Sequence, residues 1–131
     1  MTNEIKIEFG PGQKLSAVSD EYCIDVDMPA NAGGESSAPE PTHLFLASLA
    51  TCGAHYARKF CETRSLPTEG LGLKLKYKCN EEDNKITKFT FELTIPDDFP
   101  EKYKAALLRA LDLCPIKKLL MNPPSFQLEI V

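Results

Sequence analysis

Five cysteines and two histidines are the residues in this 131-residue sequence with the most chemistry to offer. A thiol reacts as its thiolate, so a cation, an imidazole or a helix start beside a cysteine decides its reactivity. Cys52 lies inside a helical stretch at the margin of the polar stripe. On the helical wheel Lys59 falls about 20° from it and His55 about 60° away, one turn on. A small core residue among Leu and Ala is the competing reading for Cys52. Cys114 precedes Pro115, which puts it at the N-cap of a short helix. Unpaired N–H groups and the helix dipole favour an anion there, and Lys117 and Lys118 add positive charge. A helix boundary filled by a small residue is the alternative. Cys61 is nine residues after Cys52, on the opposite face and about 13 Å along the axis. A disulfide needs Cα atoms within about 7 Å, so these two cannot pair while the helix stands, and Cys61 reads as structural. Cys79 falls on the apolar parity of a strand and reads as core. Cys23 shares the polar parity of Asp25 and Asp27, and nothing near it argues for chemistry.

Two other chemistries find little support. Cys52-x-x-His55 has an i, i+3 spacing that two metal ligands can share. No second CxxC or HxxxH pair accompanies it, His43 is the other histidine, and no metal is expected. Gly33-Gly34 stands outside any GxGxxG or Walker pattern, so a phosphate cradle is not expected either.

These residues must be held by elements that the patterning marks out. Ile5, Ile7 and Phe9 alternate with Lys6 and Glu8, and Gly10-Pro11-Gly12 is a turn signal. Lys14 to Val18 is the return strand, and Tyr22, Ile24 and Val26 form a third. The Gly-, Pro- and Ser-rich stretch from Pro29 to Pro41 is a loop. Pro41 suits the first position of a helix because its missing N–H needs no partner there. The helix runs from there through Leu44 to about Arg64. Its first half, Leu44 to Ala50, is apolar nearly all round, the pattern of a helix covered on most sides by a sheet and a second subunit. Leu71 to Cys79 and Lys88 to Ile95 alternate and pair as an antiparallel hairpin with one wet and one buried face. Asp98-Phe99-Pro100-Glu101 resembles a capping box opening a helix that runs through Leu113. A short helix follows from Ile116 to Met121, started by Pro115, and Phe126, Leu128 and Ile130 alternate as a last strand. The order βββ-α-ββ-αα-β makes the class α+β, in a single domain over residues 1–131.

Composition narrows the function. The chain has 15 Lys+Arg against 19 Asp+Glu, a formal net charge of −4. Mild acidity without a basic block argues against nucleic acid as a partner. The longest apolar run is far short of a membrane span, so no membrane role is expected. The opening MTNEIKIEFG has no apolar signal core, and a cytoplasmic, reducing compartment is expected. There, an odd number of cysteines reads as working thiols or core residues rather than a disulfide framework.

Three stretches, Asp27-Met-Pro29 with Gly33-Gly34-Glu35, then Pro39-Glu-Pro-Thr-His-Leu-Phe-Leu-Ala-Ser-Leu-Ala-Thr-Cys52, then Cys114-Pro115-Ile116, together resemble the OsmC/Ohr family, in order along essentially the whole chain. The resemblance implies an intertwined homodimer in which strands of each subunit join those of the other. The central helices would pack between the sheets, with sites at the interface. It also implies reduction of organic hydroperoxides in a stress response, with Cys52 as the peroxidatic thiolate and Cys114 as the resolving thiol that closes a disulfide. An external dithiol would restore the pair, with no metal or organic cofactor. Peroxide-reducing members hold the thiolate with an Arg in the N-terminal strands and a Glu early in the helix. Here the arginines are Arg58, Arg64 and Arg109, and Thr42 occupies the Glu position. Glu40, Lys14 and His55 are the candidates for a supporting role. A small apolar ligand bound without catalysis is the alternative function.

Overall fold

The computed structural model describes residues 3–131, and the first two positions of the N-terminal stretch lie outside the described residues. The backbone falls into two units, 1–46 and 47–131. In the first, β1 (Lys6–Phe9), β2 (Leu15–Val18) and β3 (Cys23–Val26) form an antiparallel sheet in that order. Gly10 N–H bonds to the Lys14 carbonyl across the first turn. There Gly12 takes φ 62°, a conformation that favours glycine. Cross-strand partners align Ile7 with Ala17 and Ile24, and Phe9 with Leu15 and Val26, so one face of the sheet is apolar. Within the chain much of that face stays open: Phe9 is 87% exposed, and Ile7 and Ile24 are exposed as well.

The loop after β3 is tied around one carboxylate. Asp27 is buried. Its Oδ1 accepts the Met28 N–H at 2.8 Å. Its Oδ2 accepts the Glu35 N–H at 3.2 Å, the Ser37 N–H at 3.1 Å and the Ser37 hydroxyl at 2.6 Å. These donors hold its pKa down at about 2, the Ser37 hydroxyl most strongly and against the opposing effect of burial. Gly34 is required by space: a Cβ there would stand 2.0 Å from the Met28 carbonyl oxygen.

The helix α1 (Pro41–Thr63) starts at the proline and runs into the second unit, where it lies on the hairpin of β4 (Gly72–Cys79) and β5 (Ile86–Thr94). Register pairs Leu73 with Leu93, Leu75 with Phe91 and Tyr77 with Phe89, and puts Lys74 opposite Glu92 on the wet face. Lys76 and Glu92 form an ion pair at 2.6 Å. Two short helices follow, α2 (Lys104–Ala110) and α3 (Pro115–Met121). The core of this unit joins Ala57, Phe60 and Cys61 of α1 to Phe99, Leu107, Ala110 and Leu111. A Cβ on Gly53 would meet Leu111 at 3.1 Å and the Phe91 ring at 3.2 Å, so the glycine lets α1 approach β5 closely. No helix among the described residues is long and apolar enough to cross a membrane.

Three expectations are corrected. Cys79 is exposed, not core, because the ladder slips in register between Lys78 and Cys79 and the hairpin tip carries no cover. The stretch from Asp98 to Glu101 makes no capping box. Pro100 is extended, and a 3-10 turn (Glu101–Tyr103) with no side-chain cap leads into α2. Glu101 pairs instead with Lys104 at 2.6 Å. Residues 126–130 form no strand, and Phe126 is 89% and Leu128 95% exposed, since a strand needs a neighbour that this chain does not supply. Within one chain the first half of α1 is partly covered, with Phe45 exposed. The remaining elements form the α+β order foreseen, with boundaries within a residue or two for the main helix and the first sheet.

Candidate functional site

The two cysteines picked out by their positions meet in the second unit. Cys52 is half-buried on α1. Cys114 is 2% exposed and is the N-cap of α3, with Pro115 at the first helical position. Its Sγ accepts the Lys117 N–H at 3.4 Å. Both are free thiols, and their side chains are in hydrogen-bonding contact. The Ile116 N–H bonds to the Cys52 sulfur, so successive amides at the start of α3 serve the two thiols. Pro115 starts the helix without a donor of its own, which leaves the donors of the next residues pointing back at the sulfurs. An ion pair between Lys117 and Asp112 spans the Cys114–Pro115 junction.

Burial pushes the Cys52 thiol above the ordinary range, and the neighbouring Cys114 thiol pushes it further; the Ile116 N–H acts in the opposite sense by favouring the thiolate. That differs from the wheel argument, which looked to Lys59 and His55 for the charge near Cys52. Both are exposed, and the His55 ring stands edge-on to Tyr56 at 5.1 Å. What acts on this sulfur is burial, the Cys114 thiol and the single Ile116 N–H, not Lys59 or His55. Sequence reasoning missed Ile116 because an amide donor has no side-chain signature, and the Cys-Pro pair was the only available signal.

The other candidates sit elsewhere. Lys14 belongs to the first unit and pairs with Glu35 at 3.2 Å. Glu40 is half-buried there, lining a surface hollow of about 370 Å³ with Pro29, Ala38, Pro39 and His43. Thr42 is exposed on the first turn of α1. Cys61 is fully buried in the core, and burial raises its thiol, with Arg64 acting the other way. Cys23 is exposed and its thiol donates to Asp25 Oδ1 at 3.9 Å. No cluster of three or more metal-ligating side chains occurs among the described residues. Chemically, the site is two reduced sulfurs in contact, one of them reachable, held by amide donors.

Comparison with known proteins gives this arrangement a setting. A model of the OsmC-like protein family matches residues 33–129, which include both thiols. In fold, the chain is similar to a protein from Psychrobacter arcticus 273-4 named for osmotic stress induction and detoxification response. That match has TM-score 0.72 at 18% identity, over 90% of this chain and 87% of that one. An OsmC-like protein from Mycoplasma pneumoniae matches at TM-score 0.69 and 14% identity, over 94% and 89%. An organic hydroperoxide resistance protein from Legionella pneumophila matches at TM-score 0.57 and 19% identity, over 92% and 89%. No curated protein sequence matches the chain.

Proposed function

The chain belongs to the OsmC-like protein family, and we propose that it is a two-cysteine redox protein that reduces organic hydroperoxides. One observation carries the reading: Cys52 and Cys114 are free thiols in contact, with the Ile116 N–H on the Cys52 sulfur. The name of the Legionella relative, an organic hydroperoxide resistance protein, points the same way. In this scheme the Cys52 thiolate attacks one peroxide oxygen and the O–O bond breaks. The departing alkoxide takes a proton and leaves as an alcohol, and Cys52 becomes a sulfenic acid, oxidised by two electrons. Cys114 then attacks the Cys52 sulfur, an S–S bond forms and water leaves. An external dithiol reduces the disulfide by exchange and is itself oxidised. The Ile116 N–H at the start of α3 stabilises the Cys52 sulfur anion in the first step, and the Lys117 N–H holds the Cys114 sulfur that attacks in the second. The scheme calls for no metal or organic cofactor.

The working form in this reading is a homodimer. The open apolar face with Ile7, Phe9 and Ile24, the unpaired stretch from Phe126 to Ile130 and the half-covered start of α1 are surfaces that a second copy would bury. His55, Glu40 and Lys14 are proposed as supporting groups in that assembly.

The test is anaerobic stopped-flow mixing of the reduced protein with a bulky alkyl hydroperoxide, following thiol loss in wild type and Cys52→Ser. Rapid loss in wild type alone supports the proposal; loss at the rate of a free thiol ends it. A second reading, a small-ligand binder that does not turn over, is favoured by one observation: burial and Cys114 both raise the Cys52 thiol. Its mark in the same experiment would be slow thiol loss together with saturable binding of the intact peroxide.

A further inference from the structure

The second half of α1 and the chain that leads into β4 border a hollow of about 430 Å³. Neither thiol lines it, so its occupant is independent of the redox reading. Its apolar wall is Leu71, Leu73 and Leu93, half-buried side chains packed on the core of the unit. Its polar groups are the guanidinium of Arg58, the carboxylate of Glu62 and the hydroxyl of Thr68, all exposed. An apolar wall of this size with a few polar groups at its edge has the make-up of a small-molecule site.

The two charges do not satisfy each other. Arg58 and Glu62 stand one turn apart on α1, with Cβ atoms about 5–6 Å apart. That spacing commonly makes an ion pair, yet neither side chain belongs to one among the described residues. Their order contributes, because a base four residues before its acid gains less than the reverse arrangement. The Thr68 hydroxyl has no hydrogen-bond partner among the described residues either. A cation, an anion and a hydroxyl thus border one apolar wall with their bonding capacity unused.

We infer that this hollow binds a free α-amino acid with an apolar side chain, its carboxylate on Arg58, its ammonium on Glu62 and its side chain against Leu71, Leu73 and Leu93. The planar carboxylate matches the forked donors of a guanidinium. The zwitterion brings a charge of the right sign to each partner. A simple acid sets its negative charge near Glu62 with nothing to answer it, and a simple amine sets its positive charge near Arg58 in the same way. The side chain takes the leucine wall out of water, which a ligand without one does not do.

Amide NMR titration of the reduced full-length protein tests it, with L-leucine, 4-methylpentanoate, 3-methylbutylamine and glycine as separate ligands. Leucine should shift amides of α1 from Arg58 to Glu62 and those of residues 68–73. It should bind at least about threefold more tightly than the acid, the amine or glycine. Arg58→Gln should erase its advantage over the amine, Glu62→Gln its advantage over the acid, and Lys59→Gln should leave both intact. Arg58 and Glu62 are exposed, so both variants should keep the wild-type fold, checked by their amide spectra. Equal affinity for all four ligands, shifts that map elsewhere, or advantages that survive both substitutions would each overturn the inference. So would amides of this hollow that shift with protein concentration and not with leucine, which would assign the wall to a second copy of the chain.

Discussion

Cys52 combines a sulfur raised by burial and by a second thiol with one amide donor that favours its ionised form. Because the thiolate is the nucleophile, its rate with peroxide should climb as pH rises through and above the ordinary thiol range; a plateau already reached below neutral pH would contradict this. Ile116→Pro removes the amide donor at a helix position where proline is tolerated. A hydrogen bond to a charged group is worth about 1.5–3 kcal/mol, so oxidation of Cys52 should slow by about tenfold or more at fixed pH. A rate unchanged within twofold would show the donor to be idle (about 0.4 kcal/mol). Asp27 acts on stability rather than on reactivity. Its folded pKa of about 2 lies below the ordinary 3.8, so its stabilisation is complete above the ordinary value. As pH falls from there toward 2, the unfolded chain takes up a proton that the folded chain refuses, and the stabilisation is lost. Acid unfolding of wild type should therefore steepen across that window, and Asp27→Asn, monitored by circular dichroism, should flatten it while lowering stability at neutral pH.

At the level of elements, the second unit depends on the seam where α1 meets α2 and the hairpin. Leu107 is fully buried there among Phe60, Cys61 and Leu111. Leu107→Ala should cost about 2–5 kcal/mol in chemical unfolding, and a loss under 1 kcal/mol would mean that the seam can collapse around the gap. Much of this was legible beforehand. Pro41 marked the start of α1, apolar parity aligned Leu73 with Leu93 and Leu75 with Phe91, and the Cys114–Pro115 pair located the start of α3. What escaped had physical reasons. Parity assigns a residue to a face of a strand but not to the covered part of that face, which is why Cys79 looked like core. The spacing of Asp98 and Glu101 fits a capping box, but Pro100 holds the backbone extended and Glu101 finds Lys104. The contact of Cys52 with Cys114 depends on how α3 is delivered to α1, a tertiary fact that neither local pattern contains.

For the whole molecule, the mismatch between apolar pattern and available cover is the informative feature. Phe9, Phe126, Leu128 and Ile130 are apolar residues at strand parity with almost nothing upon them in one chain. If a second copy covers them, sedimentation should give a dimer at micromolar concentration, and removing residues 124–131 should weaken it; a stable monomer would contradict the homodimer. The family, the fold and the two free thiols all bear on a single question, whether these sulfurs exchange electrons with a peroxide and then with each other. Reduced protein treated anaerobically with one equivalent of an alkyl hydroperoxide, alkylated, digested and analysed by mass spectrometry without reduction answers it. The account predicts a peptide pair joined through Cys52 and Cys114 as the main product, with a trapped sulfenic acid at Cys52 in Cys114→Ser. Recovery of Cys52 and Cys114 as alkylated thiols, with the peroxide unconsumed, would contradict it.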